Sequence, residues 1–255
     1  MSARPVAPLA EQGVVVFGGT SGIGRAAAAA FRAEGAQVCL VGRNAERGAR
    51  AAEELGADFV AADCADPDAA GAAVAEAGSR LGRLDTGLVS LGGNRLPELL
   101  HRQSLADIAA TVAEDLTPTL LALAALAGRM REAGGGTLIA VASDAGKVAT
   151  PGETVIGANM AAIIQFTRGL ALEGRRDGIR ANVLTPSLVE GTALTDRLMA
   201  EGTFSSKLFA EARPLAGLGP TSPEDLAALA VFLASPAAAR ITGQAISVNG
   251  GISAA

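Results

Sequence analysis

The chain has 255 residues, 21 basic and 26 acidic side chains and a formal net charge of −5, a length that suits one α/β domain of about 200–250 residues and that buries roughly 70–75% of the unfolded surface without a disulfide or metal staple. Its arginines are scattered and form no basic stripe, which argues against nucleic-acid binding. One histidine (His101) and two cysteines (Cys39, Cys64) exclude a His/Cys metal cluster, and there is no Trp and no Tyr.

The opening MSARPVAPLAEQG carries neither an apolar h-region nor a signal cleavage pattern. Seven short apolar runs follow, at 13–17, 37–41, 58–61, 87–91, 137–142, 180–184 and 245–248, each bounded by glycine, proline or polar residues as buried parallel strands are. Between them lie segments rich in Ala, Leu, Glu and Arg, at about 22–34, 44–55, 66–81, 104–132, 154–174 and 222–235, whose composition favours helix. Such alternation predicts a doubly wound, Rossmann-type parallel sheet of about seven strands, order 3-2-1-4-5-6-7, with helices on both faces. No linker interrupts it, so residues 1–255 are expected to form one domain. The irregular stretch 186–220, with Pro186, Pro214 and Pro220, reads as a substrate lid at the ligand-binding edge. The longest apolar stretches, around 120–127 and 226–239, fall short of the roughly 18 residues a membrane span needs. Two cysteines without a spacing motif suit a reducing cytoplasm.

Gly18-Gly19-Thr20-Ser21-Gly22-Ile23-Gly24 follows the first strand and opens a helix. Gly18 permits the tight turn, Gly22 the close approach of a pyrophosphate, and Gly24 close helix–strand packing, while the helix N-terminus offers its N–H groups to phosphate. A plain glycine turn is the alternative, and the strand–helix context weighs against it.

Together these features resemble the short-chain dehydrogenases/reductases. The glycines match that family's T-G-x-x-x-G-x-G, with Phe17 in place of the threonine. Asp63, beside Cys64, matches the acidic residue that meets the adenine. Ser143-Asp144-Ala145-Gly146 matches the serine segment after the fifth strand, and 241–251 resembles the last-strand signature. The second strand ends in Gly42-Arg43, where an NAD-specific member would place Asp for the ribose 2′-OH. An exposed guanidinium there can hold a 2′-phosphate bidentately, so NADP(H) is favoured over NAD(H); a solvated arginine beside a helix cap is the alternative.

The resemblance implies an oxidoreductase acting on a carbonyl or secondary alcohol through a tyrosine acid, a lysine four residues later, a serine and a relay asparagine. An ungapped alignment through Ser143 puts Ile156 at the tyrosine and Met160 at the lysine, with the far side pinned by Ala161-Ala162 and by 167–173. The asparagine aligns with Asp115. Asn-Asn-Ala-Gly aligns with Ser90-Leu91-Gly92-Gly93, and Pro-Gly with Pro186-Ser187, with Thr192 displaced by one from the carboxamide-binding threonine. Isoleucine has no exchangeable proton and methionine only a weak acceptor sulfur. The expectation is therefore nucleotide binding with impaired chemistry. The alternatives are a reductase using a displaced acid, with Glu153 three residues before Ile156 as a candidate, and a non-catalytic partner subunit. Lys147 and Asp144 are expected at the cleft rim, and His101 on a surface loop. The family also implies a homotetramer or homodimer, built on the 104–132 and 154–174 helices.

Overall fold

The computed structural model describes residues 9–92 and 95–255; Gly93 of the aligned segment after the fourth strand lies outside them. Seven parallel strands form one sheet in the order β3-β2-β1-β4-β5-β6-β7. They are β1 (Gly13–Phe17), β2 (Gln37–Gly42), β3 (Asp58–Ala61), β4 (Thr86–Val89), β5 (Gly136–Val141), β6 (Ile179–Pro186) and β7 (Ala245–Val248).

Alternation along β1 explains the two layers. Val15 and Phe17 point into the core under α3 (Pro67–Leu81), α5 (Thr117–Ala133) and α6 (Thr154–Gly174). Val14 and Val16 point into the core under α1 (Gly22–Ala33), α2 (Ala45–Leu55) and α9 (Pro223–Ala234). Both faces are covered, which is why the strand reads as an unbroken apolar run.

Helix starts follow local chemistry. Asn44 accepts from the Arg47 N–H at 2.8 Å, Asp66 from Asp68 and Ala69 ahead of Pro67, and Ser222 forms a capping box with Asp225. The run expected as one helix over 104–132 is instead broken. α4 (Leu105–Thr111) passes through a π-turn at Val112–Leu116 into α5. Pro118 has no N–H for the helical ladder, and Asn159 of α6 donates to the Thr111 carbonyl at 3.1 Å, so the widened turn has an outside partner.

By length and composition, the stretches Leu105–Ala133 and Thr154–Asp177 are apolar enough to cross a bilayer, contrary to the reading from uninterrupted apolar runs. In the fold they are crossover helices packed on the sheet. Residues 186–220 carry α7 (Ala193–Leu198) and α8 (Phe204–Ala212) around a small core of Leu188, Leu198 and Phe209.

Candidate nucleotide cleft

The strand ends meet at one edge, where the chain turns from β1 to α1 and from β4 into its following loop. Gly18 has φ +76°, and a Cβ there would lie 2.1 Å from the Ser90 carbonyl oxygen. A Cβ on Gly24 would lie 2.4 Å from the Gly18 oxygen, so α1 sits directly against the turn. Gly22, at φ +51°, faces open space, with the Thr192 methyl 3.8 Å from a hypothetical Cβ. Ser21 is an extended N-cap whose side chain makes no capping bond, and the first turn of α1 has no acidic residue. The cradle over Gly22 and this uncapped helix start suit an anion such as a pyrophosphate. Thr20 is buried, its methyl 3.3 Å from where a Gly42 Cβ would be, and Ile23 is half-buried against the core.

At the end of β2 Arg43 is exposed, with no carboxylate within ion-pair distance among the described residues. Asp63 is exposed too, and its Oδ1 accepts from the Ala65 N–H at 3.1 Å. Cys64 between them is buried. Burial, then the Asp63 charge, push its thiol up to about 11, against an opposing pull from Arg43. Arg43, Asp63 and Cys64 thus share one corner of the edge.

The opposite side is apolar. Met160 is 8% exposed and belongs to the core with Ile163 and Leu123, and Ile156 is half-buried against the same cluster. The Asp144–Gly146 turn presses on them, since a Cβ on Gly146 would lie 2.9 Å from Met160 Cβ and one on Gly157 2.6 Å from the Ala145 oxygen. Ser143 is half-buried, and its Oγ accepts from the Ala145 N–H at 3.2 Å. Asp115, in the π-turn, is 2% exposed and its Oδ1 would lie 3.3 Å from a Cβ on exposed Gly92. Pro186 ends β6 beside Val248. Thr192 caps α7, its Oγ1 accepting from the Thr195 N–H at 3.1 Å.

Expectations for three residues need correction. Asp144 and Lys147 do not stand at the cleft rim as open charges: Asp144 is 5% exposed and both side chains face β7 and the residues beyond it. The cause is their partners: Ser247, Asn249 and Ser253 donate to the Asp144 carboxylate, and Ser247 and the Ala255 carbonyl accept from Lys147. Glu153 is not inside the helix but is its N-cap (φ −106°, ψ 21°), so helical spacing to Ile156 does not apply. Burial still raises its carboxyl above the ordinary range, opposed by a hydrogen bond with the Thr150 side chain. Phe204 of α8 lies over the adjacent Gly152, where a Cβ would come within 2.2 Å of its ring.

His101 is exposed in a short 3-10 turn, as expected. Asn159 and Asn249 were not singled out from sequence. Each is a lone amide in apolar or glycine surroundings and is 2% and 5% exposed, respectively. No group of three or more possible metal ligands occurs among the described residues. A cavity of about 530 Å³, lined by Ala127, Arg131, Leu170 and Arg175, lies where β6 begins, away from this edge.

The fold and the glycine cradle define a doubly wound nucleotide-binding protein. A family model described as enoyl-(acyl carrier protein) reductase matches residues 18–253. The chain is 34% identical over 254 residues to D-threitol dehydrogenase of Mycolicibacterium smegmatis, covering 93% of this chain and 91% of that one. It is 35% identical over 233 residues to inactive 2-(S)-hydroxypropyl-CoM dehydrogenase 2 of Xanthobacter autotrophicus, covering 89% and 99%. The structure of a short-chain type dehydrogenase/reductase from Mycobacterium ulcerans superposes with a TM-score of 0.87 at 28% identity, covering 96% and 90%. The chain belongs to the short-chain dehydrogenase/reductase family of oxidoreductases, which implies a nicotinamide nucleotide as cofactor.

Proposed function

We propose that the protein binds NADP(H) in this cleft and that the family's reduction of carbonyls, or oxidation of secondary alcohols, is impaired in it. One observation carries the reading. The phosphate side is open and polar, while Ile156 and Met160 turn the reacting side into core. The α1 N–H groups, with Gly18, Thr20, Ser21, Gly22, Ile23 and Gly24, hold the pyrophosphate. Arg43 holds the 2′-phosphate, Asp63 and Cys64 border the adenine, and Gly92, Pro186 and Thr192 border the nicotinamide end. A bound nicotinamide supplies hydride. An oxygen that gains charge then needs a positioned proton, and neither Ile156 nor Met160 can give one. Ser143 keeps a hydroxyl, and Asp115 holds a carboxylate where the relay asparagine would be.

Residues 186–220 act as the lid over a small carbonyl or alcohol ligand. Calorimetry tests the cofactor: NADPH binds more tightly than NADH, the gap narrows with salt, and Arg43→Ala removes most of it. Equal affinities for the two nucleotides refute the assignment. The free, buried Cys39 and Cys64 fit a reducing compartment, the cytoplasm. Only 33% and 39% of the apolar windows in the two long helical stretches are buried, which supports helix pairing in a homotetramer or homodimer.

The second reading, an active reductase, is favoured by one observation: burial beside the cleft pushes the Glu153 carboxyl above the ordinary glutamate range, against a Thr150 hydrogen bond. Turnover abolished by Glu153→Gln would establish it. The relative named inactive lends support to the first reading.

A further inference from the structure

Directly after Ser143 the chain buries a charge pair that the cleft does not use. Asp144 Oδ1 lies 3.4 Å from Lys147 Nζ, with the two side chains 7% and 11% exposed. The same oxygen accepts from Ser247 Oγ at 3.3 Å, and Oδ2 accepts from Ser253 Oγ at 2.9 Å and from the Asn249 amide. Lys147 also donates to Ser247 Oγ and, at 2.6 Å, to the Ala255 carbonyl. Asn249 is braced in turn, donating to the Ser253 carbonyl at 3.1 Å and accepting from the Gly251 N–H at 2.9 Å. A carboxylate this deep needs its donors, and here nearly all come from residues a hundred positions away.

Segment 249–255 has a second attachment. Ile252 packs on the cluster of Leu188, Leu198 and Phe209 within residues 186–220. The Leu218 N–H donates to the Gly250 carbonyl at 2.9 Å, and a Cβ on Gly250 would lie 2.0 Å from the Gly219 oxygen. One short strap therefore ties the turn that carries Ser143 to the segment over the cleft.

We propose that Asp144 is a positioning residue: with Lys147 it latches the strap, and the strap holds segment 186–220 in place relative to Ser143. Asparagine at 249 suits this latch, because an amide donates to Asp144 where a second carboxylate would repel it. The proposal rests on the cleft being the ligand site.

Hydrogen exchange on the intact protein without nucleotide tests the latch. Asp144→Ala should speed exchange about 100-fold in both 247–255 and 188–219, leaving β1 and α1 unchanged. Asp144→Asn, which keeps one acceptor oxygen but loses the ion pair, should fall between the two. Ile252→Ala, which keeps the latch and serves if Asp144→Ala does not fold, should free 188–219 and leave 143–147 protected. Loosening of 247–255 with 188–219 unchanged overturns the proposal, as does equal loosening of β1. With NADPH added, wild type should gain protection over 188–219 and Asp144→Ala should not, although calorimetry still finds NADPH bound. A wild type that binds no NADPH defeats the nucleotide reading and leaves the exchange result without nucleotide standing.

Discussion

Restoring the missing proton donor is the sharpest test of impaired chemistry. Ile156→Tyr with Met160→Lys puts a phenol and an ammonium where the fold has a half-buried and a buried apolar side chain. An ammonium left unpaired beneath the Asp144–Gly146 turn costs about 3 kcal/mol, and the larger ring at 156 adds about 1–3 kcal/mol of overpacking. At about 2–4 °C per kcal/mol for a chain of this size, the double variant should melt about 10–20 °C lower. Against that loss, a positioned general acid is worth about 10²–10⁴-fold in rate. NADPH consumption with a panel of ketones and diketones should therefore be negligible for wild type and measurable for the double variant. Ile156→Tyr alone should gain less, because without the lysine a buried phenol keeps a pKa near or above about 10. Recovery stays partial, since Ser90, Asp115 and Ser187 also depart from the family pattern. Robust wild-type turnover that survives Ser143→Ala would refute the reasoning, because the chemistry would then lie elsewhere.

Burial raises the folded Glu153 pKa, so the stability this group contributes is fully present below the ordinary glutamate range and is lost as pH rises through the folded value. Glu153→Gln should therefore raise the melting temperature at about pH 7 relative to that at about pH 4, compared with wild type; no relative gain at about pH 7 counts against that burial. Cys39 and Cys64 are buried, with thiols pushed up to about 12 and about 11, so native protein should resist alkylation at about pH 8 until it is unfolded. Light scattering at micromolar concentration should find a tetramer or dimer, and a monomer refutes helix pairing.

The strands were legible because β1, β4, β5 and β6 are buried on both faces and read as compact apolar runs between turn residues, and even the less buried edge strands β3 and β7 stay short and mostly apolar. The glycine turn into α1 was legible because glycine spacing there is fixed by backbone geometry. What sequence could not supply were contacts between distant residues. The π-turn at Val112–Leu116 depends in part on an Asn159 amide 48 positions away. The direction of Asp144 and Lys147 depends on Ser247 and Asn249. Local composition gives such charges no reason to turn inward, so they read as rim residues. Glu153 was placed by helical spacing, but the helix begins one residue later.

An intact glycine motif is weaker support for retained nucleotide binding than it first looks. Packing alone keeps Gly18 and Gly24, because a Cβ at either would strike backbone oxygen, and a φ of +51° keeps Gly22. A chain that had lost its cofactor would still need all three. Two other features are not demanded by packing. The helices α2, α3, α4, α7, α8 and α9 are each capped by a side-chain oxygen; α1 and α6 start without one, and of these two only α1 has at its N-cap a residue, Ser21, of the type that favours capping. Arg43 stands exposed beside a side-chain-free Gly42, with no acidic partner among the described residues. The fold gains nothing from an uncapped helix start or from an unpaired guanidinium beside it. An anionic ligand accounts for both, with pyrophosphate at the helix and a 2′-phosphate at the arginine. The Ile156–Met160 side runs the other way. Burying Met160 stabilises the fold by about 1.5–3 kcal/mol, where a lysine would need a function to justify its burial. On the proposed reading, the uncapped helix start and the unpaired guanidinium stand where phosphate would sit, while an apolar pair stands where proton transfer would occur, and that asymmetry is what would separate binding from turnover.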